Sequence, residues 1–203
     1  DYTYEGSYND YGFNVALTND GGYLVVGKTY NKTSDVDSQY DTFVQKLSSN
    51  LTLESSYALV GCSDNESVDQ ATCEAATGTW TEVNNTNNAQ INDVRSTDDG
   101  GFILIGSMYN STTGWDILLV KIHVDGALDS DFSIDGVHTI DVATNSDDKG
   151  VSVVVNDDGS YTIAGVVHSS ANGGYDIYVA KVAKNGTFTV GTDDAVIEGD
   201  LDN

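Results

Sequence analysis

The side chains of this sequence best equipped for chemistry are carboxylates. Thirty-two Asp and Glu stand against eight Lys and Arg, a net charge of −24. Two loops concentrate them at near-alternating positions: Asp35, Asp37 and Asp41 in DVDSQYD, and Asp125, Asp129 and Asp131 in DGALDSDFSID. Oxygen ligands gathered in turns are the kind that Ca²⁺ takes. Neither loop has the full EF-hand spacing, and the same aspartates suit structural turns in which a carboxylate accepts a nearby backbone N–H. Both readings stand at this point.

Other reactive types are sparse. Cys62 and Cys73 are the two cysteines, with ten residues between them in CSDNESVDQATCEAATGTW. A local disulfide is the expectation, because a zinc site needs more Cys or His ligands than lie close by; a disulfide in turn implies an oxidising compartment. His123, His138 and His168 stand isolated, with no nucleophile elbow, HExxH or phosphate loop to accompany them. No catalytic residue is therefore expected, and no cofactor beyond Ca²⁺. The negative charge argues against nucleic acid and anionic membrane as partners. Six sequons, at Asn31, Asn50, Asn65, Asn84, Asn110 and Asn185, offer glycosylation sites to an exported chain.

What positions these residues is a repeat. NDGGYLVVG (Asn19 to Gly27), DDGGFILIG (Asp98 to Gly106) and DDGSYTIAG (Asp157 to Gly165) are versions of one segment, preceded by Val15, Val94 and Val153 and followed by YDTFVQKL, WDILLVKI and YDIYVAKV. A self-similar period decides the architecture before any single residue is interpreted. Gly100 to Gly159 spans 59 residues and Gly21 to Gly100 spans 79. The first unit is thus a 59-residue unit with two insertions, the longer holding both cysteines.

Each unit reads as short strands rich in Val, Ile, Tyr and Phe, bounded by Gly, Asn, Asp and Ser, with no sustained helical periodicity. The DG elements fall between the first and second strands, where a tight hairpin demands positive φ and glycine supplies it. Fourth-strand candidates are SSYALVG (Ser55 to Gly61), GVHTIDV (Gly136 to Val142) and DAVIEGD (Asp194 to Asp200). The expectation is an all-β, β-propeller-like tandem repeat of three four-stranded antiparallel blades in a single domain over 1–203. Its units cover about 11–61, 91–142 and 150–200, with the cysteine-bearing insertion at about 62–90. At this length a single domain buries roughly 70% of its unfolded surface. The pairs Asp41/Lys46, Asp116/Lys121 and Asp176/Lys181 recur in all units. An offset of five puts the two residues on opposite faces of a strand, so their expected role lies in contacts between neighbouring blades.

The run DGALDSDFSIDGVHTIDV (Asp125 to Val142), followed by DDKGVSVVVNDDGSYTIAG and DIYVAKVAKNG, resembles the bacterial delta-sixty repeat, a β-propeller module of unknown biochemical function. The likeness covers most of Asn92 to Gly186 and, more loosely, Tyr11 to Asn50; units one and three lack the LDxxF segment. The resemblance implies a propeller fold and a surface or secreted setting, and it brings no catalytic residues.

Three blades fall short of the four to eight that close a propeller, so something else is expected to complete the structure. TYEGSYND near the start and VIEGDLDN at the end are alike, as if one connecting strand were present twice. A surplus strand can be donated to a neighbouring chain, and Tyr2, Tyr4 and Tyr8 share one face of an extended segment; packing within the chain's own sheet is the alternative. The opening residue is Asp1 rather than methionine, which fits a processed or trimmed chain. The functional expectation is a non-enzymatic extracellular or cell-surface structural protein that self-associates as a homo-oligomer or polymer. The alternative is a secreted binding module that recognises glycan or protein through its loops.

Overall fold

The computed structural model describes residues 10–31, 39–57, 59–62, 80–82, 89–142, 146–168, 174–189 and 194–197. No described residue is helical. The first sheet is β1 (Tyr11–Leu17), β2 (Tyr23–Asn31), β3 (Gln39–Leu47) and β4 (Leu53–Ser56). After a small hairpin of β5 (Val60–Cys62) and β6 (Trp80–Glu82), the second sheet comprises β7 (Ala89–Ser96), β8 (Phe102–Asn110), β9 (Gly114–Ile122) and β10 (Val137–Ile140). The third is β11 (Lys149–Val155), β12 (Tyr161–His168), β13 (Tyr175–Val182) and β14 (Asp194–Ile197). Each large sheet is an antiparallel meander in chain order. The expected three four-stranded units are therefore present.

The fourth strands of units two and three lie inside their expected segments. In unit one the position differs: β4 pairs Lys46 with Ser55 and Leu47 with Leu53, and the end of the expected segment turns into β5, which pairs with β6 instead. The long insertion competes there for the chain that the repeat would otherwise claim.

Two glycine positions explain much of the repeated segment. Gly21, Gly100 and Gly159 close the first hairpin of each unit at φ 82°, 86° and 78°, where a side chain is strained. The N–H of each donates to the carbonyl three residues back, at Thr18, Thr97 and Asn156. Further along, Gly27, Gly106 and Gly165 lie opposite a β-bulge in the first strand, between Gly12 and Asn14, Ile91 and Asp93, and Gly150 and Ser152. A Cβ on these glycines would collide with the carbonyl oxygens of Tyr11, Gln90 and Lys149. The bulge bends the strand inward, and only glycine lets it approach.

The sheets stack face to face in chain order. Alternate residues of a strand point to opposite faces, and the second sheet uses both. Phe102, Leu104, Leu118, Val120 and Ile122 pack with Ala16, Leu24, Val26 and Val44 of the first sheet. Ile103, Ile105, Ile117 and Leu119 pack with Val153, Tyr161, Ile163, Tyr178, Ala180 and Val182 of the third. Each sheet thus has a face for its predecessor and a face for its successor.

Candidate functional site

The charged residues of the repeat form a clamp within each unit. In the first hairpin, Asp20, Asp99 and Asp158 accept the backbone N–H two residues on, from Gly22, Gly101 and Ser160. Hydroxyls of Thr18, Thr97 and Ser160 donate to the same carboxylates. Their second oxygens meet the repeated lysines of the third strands: Lys46 with Asp20, Lys121 with Asp99 at 2.9 Å, and Lys181 with Asp158 at 2.9 Å. This corrects the expectation of contacts between blades, since each lysine ties the third strand to the hairpin turn of its own unit. Asp116 takes a different partner, the Thr113 hydroxyl at 2.8 Å, while Asp176 lies opposite Val167 in the β12–β13 ladder.

Electrostatics follows from the same contacts. Burial alone would raise the Asp99 carboxyl, but hydrogen bonds from Thr97, Lys121 and the Gly101 N–H outweigh it and hold it at about 2. Hydrogen bonds from Lys46 and Thr18 pull Asp20 well below the usual carboxylate range, and those from Ser160 and Lys181 do so for Asp158. Lys46 is raised by Asp20 and Glu54.

Lysine exposure sets the units apart. The three clamps are alike, yet the lysine side chain is 14% exposed at Lys46, 2% at Lys121 and 57% at Lys181. Each lies on the successor-facing side of its sheet, opposite Leu24, Ile103 and Thr162 in turn. Lys121 is held from two sides of its own unit, by Asp99 of the hairpin turn and by Asp129 of the connection between β9 and β10, whereas Lys181 meets Asp158 alone.

Between sheets the polar contacts converge on Asp93. Asn14, Asp93 and Ser152 occupy one repeat position, just after the bulge. Asp93 is buried; its Oδ1 accepts from Asn14 of the first sheet, from Arg95 and from the Val94 N–H. Its Oδ2 accepts from Ser152 Oγ at 2.8 Å and the Val153 N–H at 3.0 Å, both of the third sheet. One carboxylate pins three sheets at their first strands. Ser96 Oγ to the Leu17 carbonyl and Asn92 Nδ2 to the Gly150 carbonyl, both 2.6 Å, add one link per interface.

The ends of the stack are apolar and open. Val94 and Val153 are fully buried, while their counterpart Val15 is 52% exposed and its neighbour Leu17 64%. On the third sheet, Ile177 is 52% exposed where Ile117, its counterpart in the second, is fully buried, and Tyr175 and Val154 of the same sheet are exposed too.

The acidic loops behave as turns where they are described. Asp125 accepts the Ala127 N–H and Asp129 the Asp131 N–H, each at 3.1 Å, and Asp129 also meets Lys121 at 3.1 Å. Among the described residues no group of three or more His, Cys, Asp or Glu is placed to hold a metal ion. Asp35 and Asp37 lie outside the described residues, and of Asp41 only its backbone place in β3, opposite Thr29, is described. Tyr2, Tyr4, Tyr8, Cys73, Asn65 and Asn84 also lie outside them. Cys62 ends β5, opposite Trp80; Asn31 ends β2 opposite Gln39.

The histidines have separate surroundings. His123 is 3.8 Å from Asp129 Oδ1, burial lowers His138 against the pull of Asp135, and His168 meets the Tyr175 ring edge-on at 5.2 Å. A cleft of about 540 Å³ lies between the outer turns of units two and three, lined by Asp99, Lys121, Asp129, Phe132, Tyr161 and Lys184 among others. Burial pushes the Tyr161 hydroxyl up to about 12, so it stays a neutral donor. No protein-family model matches this chain, and no curated protein matches it significantly.

Proposed function

We propose that this chain is a non-enzymatic structural subunit, an arc of a β-propeller akin to the delta-sixty repeat, that works by self-association. The observation that carries this reading is the contrast between equivalent positions: Val15 and Ile177 are half exposed where Val94, Val153 and Ile117 are sealed. Apolar sheet faces left open favour association. The repeated polar residues support it too, since Asp20, Asp99, Asp158 and Asp93 are all spent on turns, clamps and sheet-to-sheet bonds. Donation of the segment that carries Tyr2, Tyr4 and Tyr8 is one route to association, and stacking of whole sheets is another.

An extracellular or cell-surface setting belongs to the proposal. It rests on the disulfide expected between Cys62 and Cys73 and on the sequons, of which Asn50, Asn110 and Asn185 have exposed side chains. Light scattering across a concentration series, with calcium and with a chelator, tests association and any part the acidic loops take in it. A rising mass is expected; a chain monomeric throughout sinks the reading.

The cleft beside Tyr161 favours a second reading, a binding module for glycan or protein. Its polar lining, with Lys184, Asn185, Asp129 and Asp99, offers hydrogen bonds to a sugar. A glycan array probed with the wild type and with Lys184→Ala, whose side chain is exposed, separates this reading from the first.

A further inference from the structure

We infer that Asp116 and Asp141 form an acid pair that shares one proton across the ladder of β9 and β10, and that this proton latches the end of β10 onto β9, tightly in mild acid and loosely as the pH rises. This goes beyond the self-association proposed above and does not depend on it. The observation behind it is a pair of carboxylate oxygens, one on each residue, buried without a hydrogen bond.

Register brings the two together. Ile140, the last residue of β10, pairs with Ile117, so the next step of the antiparallel ladder sets Asp141 opposite Asp116. Side chains so placed have Cβ atoms about 5 Å apart, and like charges there repel. Asp116 is 4% exposed; its Oδ2 accepts the Thr113 hydroxyl at 2.8 Å, and its Oδ1 accepts nothing. Asp141 Oδ1 is left in the same state. With both residues ionised, these oxygens are buried acceptors without donors, which is costly. One proton makes a carboxylic acid of one partner, a donor to the carboxylate of the other, and so satisfies both. A divalent cation would do the same only with more oxygen ligands, and among the described residues no group of three or more His, Cys, Asp or Glu is placed to supply them.

The surroundings deepen the repulsion. β8 sets Met108 opposite Asp116. The segment before β11 adds Asp147, whose Oδ1 accepts the Trp115 N–H at 3.4 Å, and Asp148, which accepts the Val142 N–H and the Ser146 hydroxyl, each at 2.7 Å. The adjoining sheets carry cations, but these are aimed at rings: Lys28 at Tyr11 and Phe13, and Lys149 at Tyr175, which His168 also meets. The Tyr178 hydroxyl donates to Asp194. Burial first, then Asp141 and Asp148, raise the Asp116 carboxyl; burial, then Asp148, raise that of Asp141. A raised carboxyl contributes stability that is complete below the ordinary 3.8 and is lost as the pH climbs through the folded value. Loss of the shared proton leaves carboxylates at Asp116, Asp141 and Asp148 in one place, and the end of β10 gives up its side-chain bond to β9.

The test is a carbon NMR titration of the Asp carboxyls from about pH 3 to pH 8, with hydrogen exchange of the Val137–Ile140 amides followed alongside. The variants are Asp116→Asn, Asp141→Asn and, as a control, Asp157→Asn in an exposed turn. In the wild type the pair is expected to release its protons in two separate steps. Protection of the β10 amides should fall about tenfold as the second proton leaves, the ratio that one pH unit of proton affinity carries. Each Asn supplies an N–H donor to the remaining carboxylate, so the partner should titrate in one step at lower pH and β10 protection should no longer change. Asp157→Asn is expected to behave as the wild type. Circular dichroism checks folding; if an Asn variant fails to fold, the wild-type titration decides alone, and two ordinary carboxyls there overturn the pair. An Asp116 step that Asp141→Asn leaves in place shows a lone buried acid and overturns the sharing. Protection of β10 that ignores the second step overturns the latch. Protection restored by excess Ca²⁺ in the wild type and in neither Asn variant assigns the two oxygens to a cation and overturns the proton.

Discussion

Replacing the three repeated lysines one at a time by methionine removes the ammonium and keeps most of the stem. Lys121 is the severe case: its Nζ lies between Asp99 and Asp129, at 2.9 Å and 3.1 Å, and the side chain is buried. Removing one partner of a buried pair costs about 3 to 5 kcal/mol, because the remaining charge is stranded. Asp99 is partly open to water and recovers some hydration, which puts Lys121→Met near the lower limit, about 3 kcal/mol. For a chain of this size that is a fall of roughly 6 to 12 °C in the unfolding midpoint. Lys181 makes the same bond in the open, where ion pairs contribute little, and Lys181→Met is expected to leave the midpoint within measurement error. Lys46→Met falls between.

Unfolding is followed by circular dichroism at low protein concentration, where the end faces stay unpartnered. The pH dependence supplies a second readout. Asp99 is held at about 2 against an ordinary 3.8. A depressed carboxyl contributes stability that is present above 3.8 and lost as pH falls toward 2. The gap between wild type and Lys121→Met therefore closes between about pH 4 and pH 2. Equal effects of Lys121→Met and Lys181→Met, or a gap that persists through that window, would refute the assignment of the difference to the burial of Lys121 between two carboxylates.

Three further perturbations test other parts of the fold. Asp93→Ala leaves the Val94 and Val153 N–H groups without their acceptor and is expected to cost about 3 kcal/mol in a urea titration; a loss under about 1 kcal/mol would mean that the inter-sheet bonds are not what pins the stack. Gly106→Ala drives a Cβ into the Gln90 carbonyl, whereas a Cβ on Gly12 meets nothing within 4 Å, so the first is expected to lose about 3 kcal/mol and the second less than about 0.5. Asp116 is raised by burial and by the neighbouring Asp141 and Asp148, and one of its oxygens has no hydrogen bond. With the folded pKa above the unfolded one, the charged form costs stability at neutral pH and the cost disappears below about pH 4; Asp116→Asn should melt higher at pH 7 and match the wild type at pH 3.

The periodic residues made the units legible. Glycine at a fixed place before an apolar run marks a hairpin turn because no other residue accepts that φ cheaply, and Gly21, Gly100 and Gly159 do hold it. The apolar runs of β8 and β9 were written as plainly, since strands covered on both faces read as continuous hydrophobic stretches. What stayed hidden depends on distance through space. Lysine partners could not be read from a five-residue offset, because Asp20, Asp99 and Asp158 come from a hairpin 22 to 26 residues earlier; their recurrence beside each turn glycine was the available signal. Asp93 was harder still, as its counterparts Asn14 and Ser152 differ in type, and only stacking reveals that they meet. In unit one the inserted chain displaced the fourth strand.

The burial of the second sheet on both faces has a consequence for how the molecule opens. Its central strands are sealed by neighbours that are themselves open on one side. Either outer sheet can peel away at the cost of one interface, while the middle one cannot be released until a neighbour has gone. Opening in such nearest-neighbour arrays proceeds inward from the ends. Amide hydrogens of β8 and β9 should then exchange last, those of β1 and β13 early, and the first and third sheets should gain protection together as protein concentration rises if a partner seals them both.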